Sequence, residues 1–463
     1  MRRRFRPGSA LRGTLMSIVL GACACAFGQA VVIPLDVGGG SIDILPDRPT
    51  AIALPDSAQL VEGPGPMFDS APSQARGMTP DDFGYVAEEY FISGESHGSP
   101  YTTRLVVRRP ADMSRFSGLV LAESMHASGA AHMFEYTAAY LMSEGHAAVE
   151  ILTTSPETLA RFNAARYGRL EVHDGQASEL LASLGAWVRS ADGPLGNRIR
   201  RMVLAGTSMS AGTLIDYLPA HMSYRTPDMQ HIFDGFMPTS TGATIREIDV
   251  PLIQLPTMHE IEAGVPSRQD SDEPGRQYRL YEFAGIGHVD SRDNVRLIPS
   301  PCANPLSDFP LQAYMAVGLH HLFRWVDEGI SPPRADRVWR DRNLGNDGSM
   351  MALDGHGNPR GGIRSPYLDV PVARYVPFNT VADVMPEYPS TWVSTNGMPG
   401  AETMCRLSAY KLPFSRDELR TLYRNVRGYR ERFEARLDEL EAEGWSLPVY
   451  RESILGDAAA VEF

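Results

Sequence analysis

Lysine is nearly missing from this chain. Lys411 is the only one, although lysine and arginine together number 43. Basic charge is carried by arginine, a pattern that points to a GC-rich bacterial coding sequence rather than to a chemical task. Positive charge is scarce overall, since 56 acidic residues bring the formal net charge to −13. A surface of that sign repels phosphate backbones and argues against nucleic acid as a partner. Long apolar runs are also absent. Nothing approaches the ~20 unbroken apolar residues of a transmembrane helix, so no stable membrane span is expected. No P-loop, dinucleotide fingerprint or metal-ligand cluster stands out, and Gly38-Gly39-Gly40 lacks a following phosphate-binding helix. No cofactor and no metal are expected.

What is present begins with the N-terminus. Arg2, Arg3, Arg4, Arg6 and Arg12 precede an apolar run, 15–22, and then small residues leading to Gly28-Gln29-Ala30. That is the layout of an export signal, here residues 1–30. Leu20-Gly21-Ala22-Cys23 loosely resembles a lipoprotein box, and Arg2-Arg3-Arg4-Phe5 a twin-arginine signal; simple cleavage after Ala30 ranks ahead of both. Removing the five leader arginines takes the net charge from −13 to −18. A secreted or periplasmic location follows. Cys23 and Cys25 fall in the leader and leave Cys302 and Cys405. This even pair suits one long-range disulfide in an oxidising compartment, the alternative being two buried thiols that never meet.

Residues 31–83 are rich in Pro, Gly, Asp and Ser and are expected to form an irregular arm. From 84 to 330, strand-like and helix-like segments alternate. Strands are expected at 85–94, 101–108, 119–122, 147–152, 202–205, 232–237, 252–255 and 279–283. Helices are expected at 132–144, 177–189, 211–218 and 311–328. Such alternation implies an α/β fold, a doubly wound and mostly parallel sheet led by antiparallel strands. Residues 331–463 are expected to pack back on this core as an irregular extension or partial lid, with a helix over 415–444.

The chemistry centres on Gly206-Thr207-Ser208-Met209-Ser210. A serine hydroxyl is a weak nucleophile until an imidazole takes its proton, and the imidazole needs a carboxylate to orient it. Ser208 follows an apolar strand and precedes a helix, the setting of a nucleophile on a sharp turn. Ser210 is the lesser alternative, and a structural serine turn the bland one. The base should lie last in chain order, after a strand. His288, at the end of Gly285-Ile286-Gly287-His288, fits; His320, His321, His132 and His146 read as packing residues. The acid should lie between them. Glu260 fits best after the strand at 252–255, with Glu262 as the alternative and Asp234 a lesser one. The oxyanion hole requires two backbone N–H groups, one from Met209 and one from the loop 124–129, with Met125 favoured.

Several stretches resemble a group of bacterial exported proteins described as alpha/beta hydrolase domain-containing proteins. They are the loop 119–129, the serine turn 206–212, and Asp249-Val250-Pro251-Leu252-Ile253-Gln254-Leu255 with Thr257 and Glu260. Ala284-Gly285-Ile286-Gly287-His288-Val289-Asp290, the segment 357–366, Asp369-Val370-Pro371-Val372-Ala373, Cys405 and Leu412-Pro413-Phe414 fit the same group. The resemblance covers about residue 84 to the C-terminus and implies the α/β-hydrolase fold with a serine hydrolase triad. Ser210 departs from the usual glycine-like position, and Met258-His259-Glu260 from a more acidic run before the carboxylate.

Around the expected pocket, His126 follows a strand and could line it. Arg364 could bind a substrate carboxylate, or pair with a core acid; the second is favoured. The leading expectation is hydrolysis of a small-molecule carboxylic ester through an acyl-enzyme. Amide, lactone or thioester hydrolysis by the same residues, and a non-catalytic binding scaffold, are the alternatives.

Overall fold

The computed structural model describes residues 48–72, 78–265, 268–289, 300–341, 350–383 and 400–463. The expected leader, 1–30, lies outside them. The main sheet has nine strands: β1 Ser57–Leu60, β2 Tyr85–Ser96, β3 Ser99–Pro110, β4 Leu119–Ser124, β5 Ala147–Ile151, β6 Arg201–Thr207, β7 Gly235–Thr239, β8 Leu252–Gln254 and β9 Tyr278–Leu280. Their spatial order is β9-β8-β7-β6-β4-β5-β3-β2-β1. The strands from β9 to β5 pair in parallel, whereas β3, β2 and β1 join antiparallel. This is the mostly parallel, doubly wound arrangement with antiparallel leading strands.

The inner strands read as unbroken apolar runs because both of their faces are covered. Side chains alternate between two cores, as a pleated strand requires. Leu119 and Leu121 of β4 and Val203 and Ala205 of β6 enter one core; Val120, Ala122, Met202 and Leu204 enter the other. The first core also takes in helices α1 His132–Ser143 and, further along the chain, Leu311–Glu328. The second takes in α2 Ala177–Arg189 and α3 Met209–Ser223. A short helix, α4 Met258–Ala263, precedes α5, the Leu311–Glu328 helix.

Several boundaries move for local reasons. The leading hairpin is longer than its sequence pattern, since β2 and β3 run to a tight turn at His97 and Gly98, both with positive φ. Within the arm, β1 adds an edge strand to β2, and Thr50–Ala51 pairs in parallel with Tyr224–Arg225. The strand expected at 232–237 is Gly235–Thr239; Ile232 and Phe233 are core residues that precede the ladder. The helix expected over 415–444 is two helices, α6 Arg416–Tyr423 and α7 Val426–Glu443. Arg424, with φ 65°, ends the first. The Asn425 side chain caps the second by accepting from the Gly428 amide at 2.9 Å. Tyr367, Tyr423, Tyr429, Phe433 and Leu437 place this C-terminal region in the same core as α1 and α5.

Buried charge ties the antiparallel strands to the arm. Arg104 reaches Glu150 at 2.7 Å and also binds Glu89, while Arg108 meets Glu150 at 2.9 Å and Arg166 meets Glu89 at 2.7 Å. Arg166 donates in addition to the carbonyls of Val61 and Gly65. Every charge has an opposite partner, the condition under which burial of ions is tolerated.

Cys302 and Cys405 form a disulfide with Cα atoms 5.3 Å apart and 103 residues between them in sequence. Such a bond suits an oxidising compartment. Among the described residues no helix is long and apolar enough to cross a membrane. Closing a loop of this length restricts the unfolded chain, so Cys302→Ser with Cys405→Ser should lower unfolding free energy by about 2–4 kcal/mol. Urea unfolding of the oxidised protein and the double variant checks this.

Glu123, at the end of β4, is buried under α1 and accepts from the Met133 and Phe134 amides at 2.9 and 2.8 Å. Burial, and then the Glu150 carboxylate, push its carboxyl up to about 8 against the pull of those amides. The folded protein therefore keeps a proton that the unfolded chain releases near pH 4–5. This contribution to stability is complete below that range and is lost as pH rises toward 8. Glu123→Gln cannot ionise. Relative to the parent it should gain stability between pH 5 and 8, by at most ~1.4 kcal/mol per pH unit. Parallel denaturation curves across that range would refute the assignment.

Candidate active site

The end of β6 turns sharply into α3, and Ser208 sits at the corner with φ 53° and ψ −118°. An L-residue in that region is strained and persists only where its surroundings over-determine it. Three contacts do so. The Ser208 amide donates to the Thr239 carbonyl at 3.1 Å. The Ser210 hydroxyl accepts from the Thr207 amide at 3.0 Å and donates to the Thr207 carbonyl at 2.9 Å. Gly206 is required because a Cβ there would stand 2.4 Å from the Ser210 carbonyl oxygen. Ser210 is thus a brace of the turn, and its departure from glycine adds two hydrogen bonds.

Glu260 is the third residue of α4, and its position is fixed by the helix cap. One carboxylate oxygen, Oε2, accepts from the Thr257 amide at 2.8 Å and from its hydroxyl at 2.6 Å. This is the reach-back half of a capping box. The other oxygen, Oε1, lies 2.6 Å from His288 Nδ1. Burial disfavours the Glu260 carboxylate, but His288 and then the Thr257 hydrogen bonds outweigh it and hold its pKa down to about 2. Glu262 faces elsewhere, accepting from the Met350 and Met351 amides. Asp234 pairs with Arg189 at 2.6 Å.

His288 completes the line, with Nε2 3.0 Å from Ser208 Oγ. Its loop is gripped by the C-terminal region. Val289 exchanges backbone hydrogen bonds with Leu407 and Ala409, each 3.2 Å. A Cβ at Gly287 would stand 2.4 Å from the Ala409 Cβ, so only glycine permits this approach. The Met258 amide donates to the Ile286 carbonyl at 2.8 Å and ties the same loop to α4. The structure thus brings Ser208, His288 and Glu260 together. It adds His259, whose ring lies 5.7 Å from that of His288 and 5.0 Å from that of Phe378. Burial lowers the His259 pKa. Its sequence carried no signal beyond adjacency to Glu260.

The loop after β4 corrects one expectation. The Met125 amide donates to the Ile151 carbonyl at 2.8 Å and continues the sheet ladder, so it is not free to bind an oxyanion. The amides of His126, Ser128 and Gly129 are also bonded, to the Ala130 carbonyl, His126 Nδ1 and the His126 carbonyl. The Ala127 amide has no hydrogen-bond partner among the described residues. The Met209 amide, at the first position of α3, is likewise unbonded within the helix. His126 packs its half-buried ring against His132, 4.9 Å away between centroids.

Arg364 takes the pairing role that its sequence context favoured. It donates to Asp369 at 2.6 Å, Asp354 at 3.0 Å and the Leu368 carbonyl at 2.7 Å, and also to the Pro359 carbonyl. Its guanidinium is engaged in holding the 354–369 loop and is not available to a substrate carboxylate.

Comparison with curated proteins finds no match. Among solved structures the chain is similar to esterase Est22, at 16% identity, covering 36% of this chain and 48% of that one, with a TM-score of 0.26. It is similar to a cold-adapted esterase from an Arctic intertidal metagenomic library, at 14% identity over 42% of this chain and 83% of that one, TM-score 0.24. It is also similar to brefeldin A esterase, a bacterial homologue of human hormone sensitive lipase, at 16% identity over 37% and 44% of the two chains, TM-score 0.25. The aligned part spans about half of Est22. The model of the alpha/beta hydrolase domain family matches residues 54–456, a span that includes Ser208, Glu260 and His288, and the chain belongs to that family.

Proposed function

We propose that this protein is an exported serine hydrolase that cleaves a carboxylic ester of a small molecule through an acyl-enzyme. The observation that carries the proposal is the continuous line from Ser208 Oγ through His288 to Glu260, at 3.0 and 2.6 Å. Ser208 Oγ attacks the ester carbonyl carbon as His288 Nε2 takes its proton. Glu260 holds His288 through Nδ1 and offsets the charge that the imidazole gains. The negative oxygen of the tetrahedral intermediate is received by the amides of Met209 and Ala127. Collapse expels the alcohol, protonated by His288, and leaves the acyl group on Ser208. Water, deprotonated by His288, then releases the acid. The disulfide and the basic, apolar leader support export; the 84–330 region is the catalytic core, on which residues 331–463 pack.

A fluorophosphonate probe should label the folded protein at Ser208, and Ser208→Ala should lower ester kcat/KM by roughly four or more orders of magnitude. Turnover unchanged in Ser208→Ala would sink the proposal. Short- and long-acyl esters assayed beside amides, lactones and thioesters define the bond class; preference for one of the latter would replace the ester assignment.

The acid is tested separately. Since Glu260 stays ionised down to about pH 2, its charge is present throughout the ordinary assay range and is lost only as pH falls through that value. Glu260→Gln should cut kcat by roughly 10³–10⁴ at every assay pH. Glu262→Gln should stay within a few-fold of the parent. Equal losses in the two variants would overturn the choice of Glu260.

A further inference from the structure

A second cluster of reactive side chains lies at the far end of α3. His221 is near the C-terminal end of this helix, thirteen residues after Ser208 and so roughly 20 Å along its axis at 1.5 Å per residue. Its Nε2 lies 2.8 Å from Asp249 Oδ1. His231, in the loop after the Tyr224–Arg225 strand, places its Nε2 3.0 Å from Asp249 Oδ2. The two imidazoles stack, with centroids 5.3 Å apart. Their two nitrogens and a carboxylate oxygen all lie within 4.8 Å of one another.

We propose that His221, His231 and Asp249 form a binding site for a divalent transition-metal ion, with zinc as the best match. Two imidazoles and one carboxylate, completed by water, are an ordinary ligand set for zinc, with metal–ligand distances of about 2.0–2.2 Å. Two ligands on one tetrahedral ion stand about 3.4 Å apart, and the three ligand atoms here already lie within 4.8 Å of one another. The site has an inner and an outer side. The His221 side chain is 1% exposed, whereas Asp249 and His231 are 32% and 34% exposed, which gives an ion an entrance and leaves room for water. Each Nε2 faces the carboxylate from its own element and donates a proton to it, and an ion would take that proton's place.

Arg225 is the cation paired with the carboxylate, 3.2 Å from Asp249 Oδ2. It leaves Oδ1 for the ion. It also donates to the carbonyls of His221 and Tyr224, which fixes it beside the carboxylate. An arginine behind a metal-binding carboxylate orients that ligand, the usual task of outer partners.

The ion would be a clip rather than a catalyst. It would fasten the end of α3 to the 226–234 loop and to Asp249, just ahead of β8. Those elements lead back to Ser208 and forward to Glu260. The spacing of the three residues matches no metal motif, which is why the sequence did not disclose them.

The full mature chain, stripped with a chelator and passed through buffer exchange, is titrated with zinc chloride in a calorimeter and then melted. One equivalent should bind, and a hundredfold excess over Kd should raise Tm by roughly 3 °C. His231→Gln, at a partly exposed loop position, should fold and lose both effects; His221→Asn should lose them as well. Ester turnover of the stripped parent at low temperature should stay within about twofold of the loaded protein. No zinc-dependent rise in Tm, or an equal rise in the parent and in His231→Gln, overturns the site. Neither outcome touches the serine assignment, which is read by probe labelling.

Discussion

The carboxylate of Glu260 is the constraint around which the candidate site is organised. Its two oxygens have different tasks. One closes the N-terminus of α4 through the Thr257 amide and hydroxyl, and the other holds His288. A side chain fixed by a helix cap loses its rotamer freedom for structural reasons, so it can orient an imidazole without a further entropic cost. The same contacts keep it charged in a buried place.

The remaining parts converge from the ends of parallel strands. Ser208 follows β6, Glu260 follows β8, His288 follows β9, and the loop with Ala127 follows β4. Open α/β sheets gather chemistry at the carboxyl ends of their strands because those loops face one crevice. The antiparallel edge, with its arginine–glutamate cluster, has the opposite character: its buried charges are engaged with one another.

Much of this was legible in the sequence. The alternation of strands with helices and the lengths of α2 and α5 follow from local rules. Glu260 was preferred to Glu262 on its position after the strand at 252–255, and the capping box with Thr257 that fixes it emerged only in the structure. What was not legible depended on distant backbone. Met125 looked like an oxyanion donor until the sheet register gave its amide to Ile151. The break at Arg424 was hidden by apolar spacing that runs through both helices. His221, His231 and Asp249 meet only after three elements fold together.

The backbone exchange between Val289 and the 407–409 segment sets an order of assembly. Synthesis delivers Ser208, Glu260 and His288 well before the segment that grips the histidine loop. Hydrophobic packing of the sheet can proceed as strands emerge, and Met258 already ties the His288 loop to α4, but the grip on Val289 waits for residues 407–409. A chain cut after α5 would contain all three side chains of the hydrogen-bonded line and lack the frame that holds one of them. The segment around residues 407–409 therefore belongs to the frame of the candidate site as much as the strands that bear it.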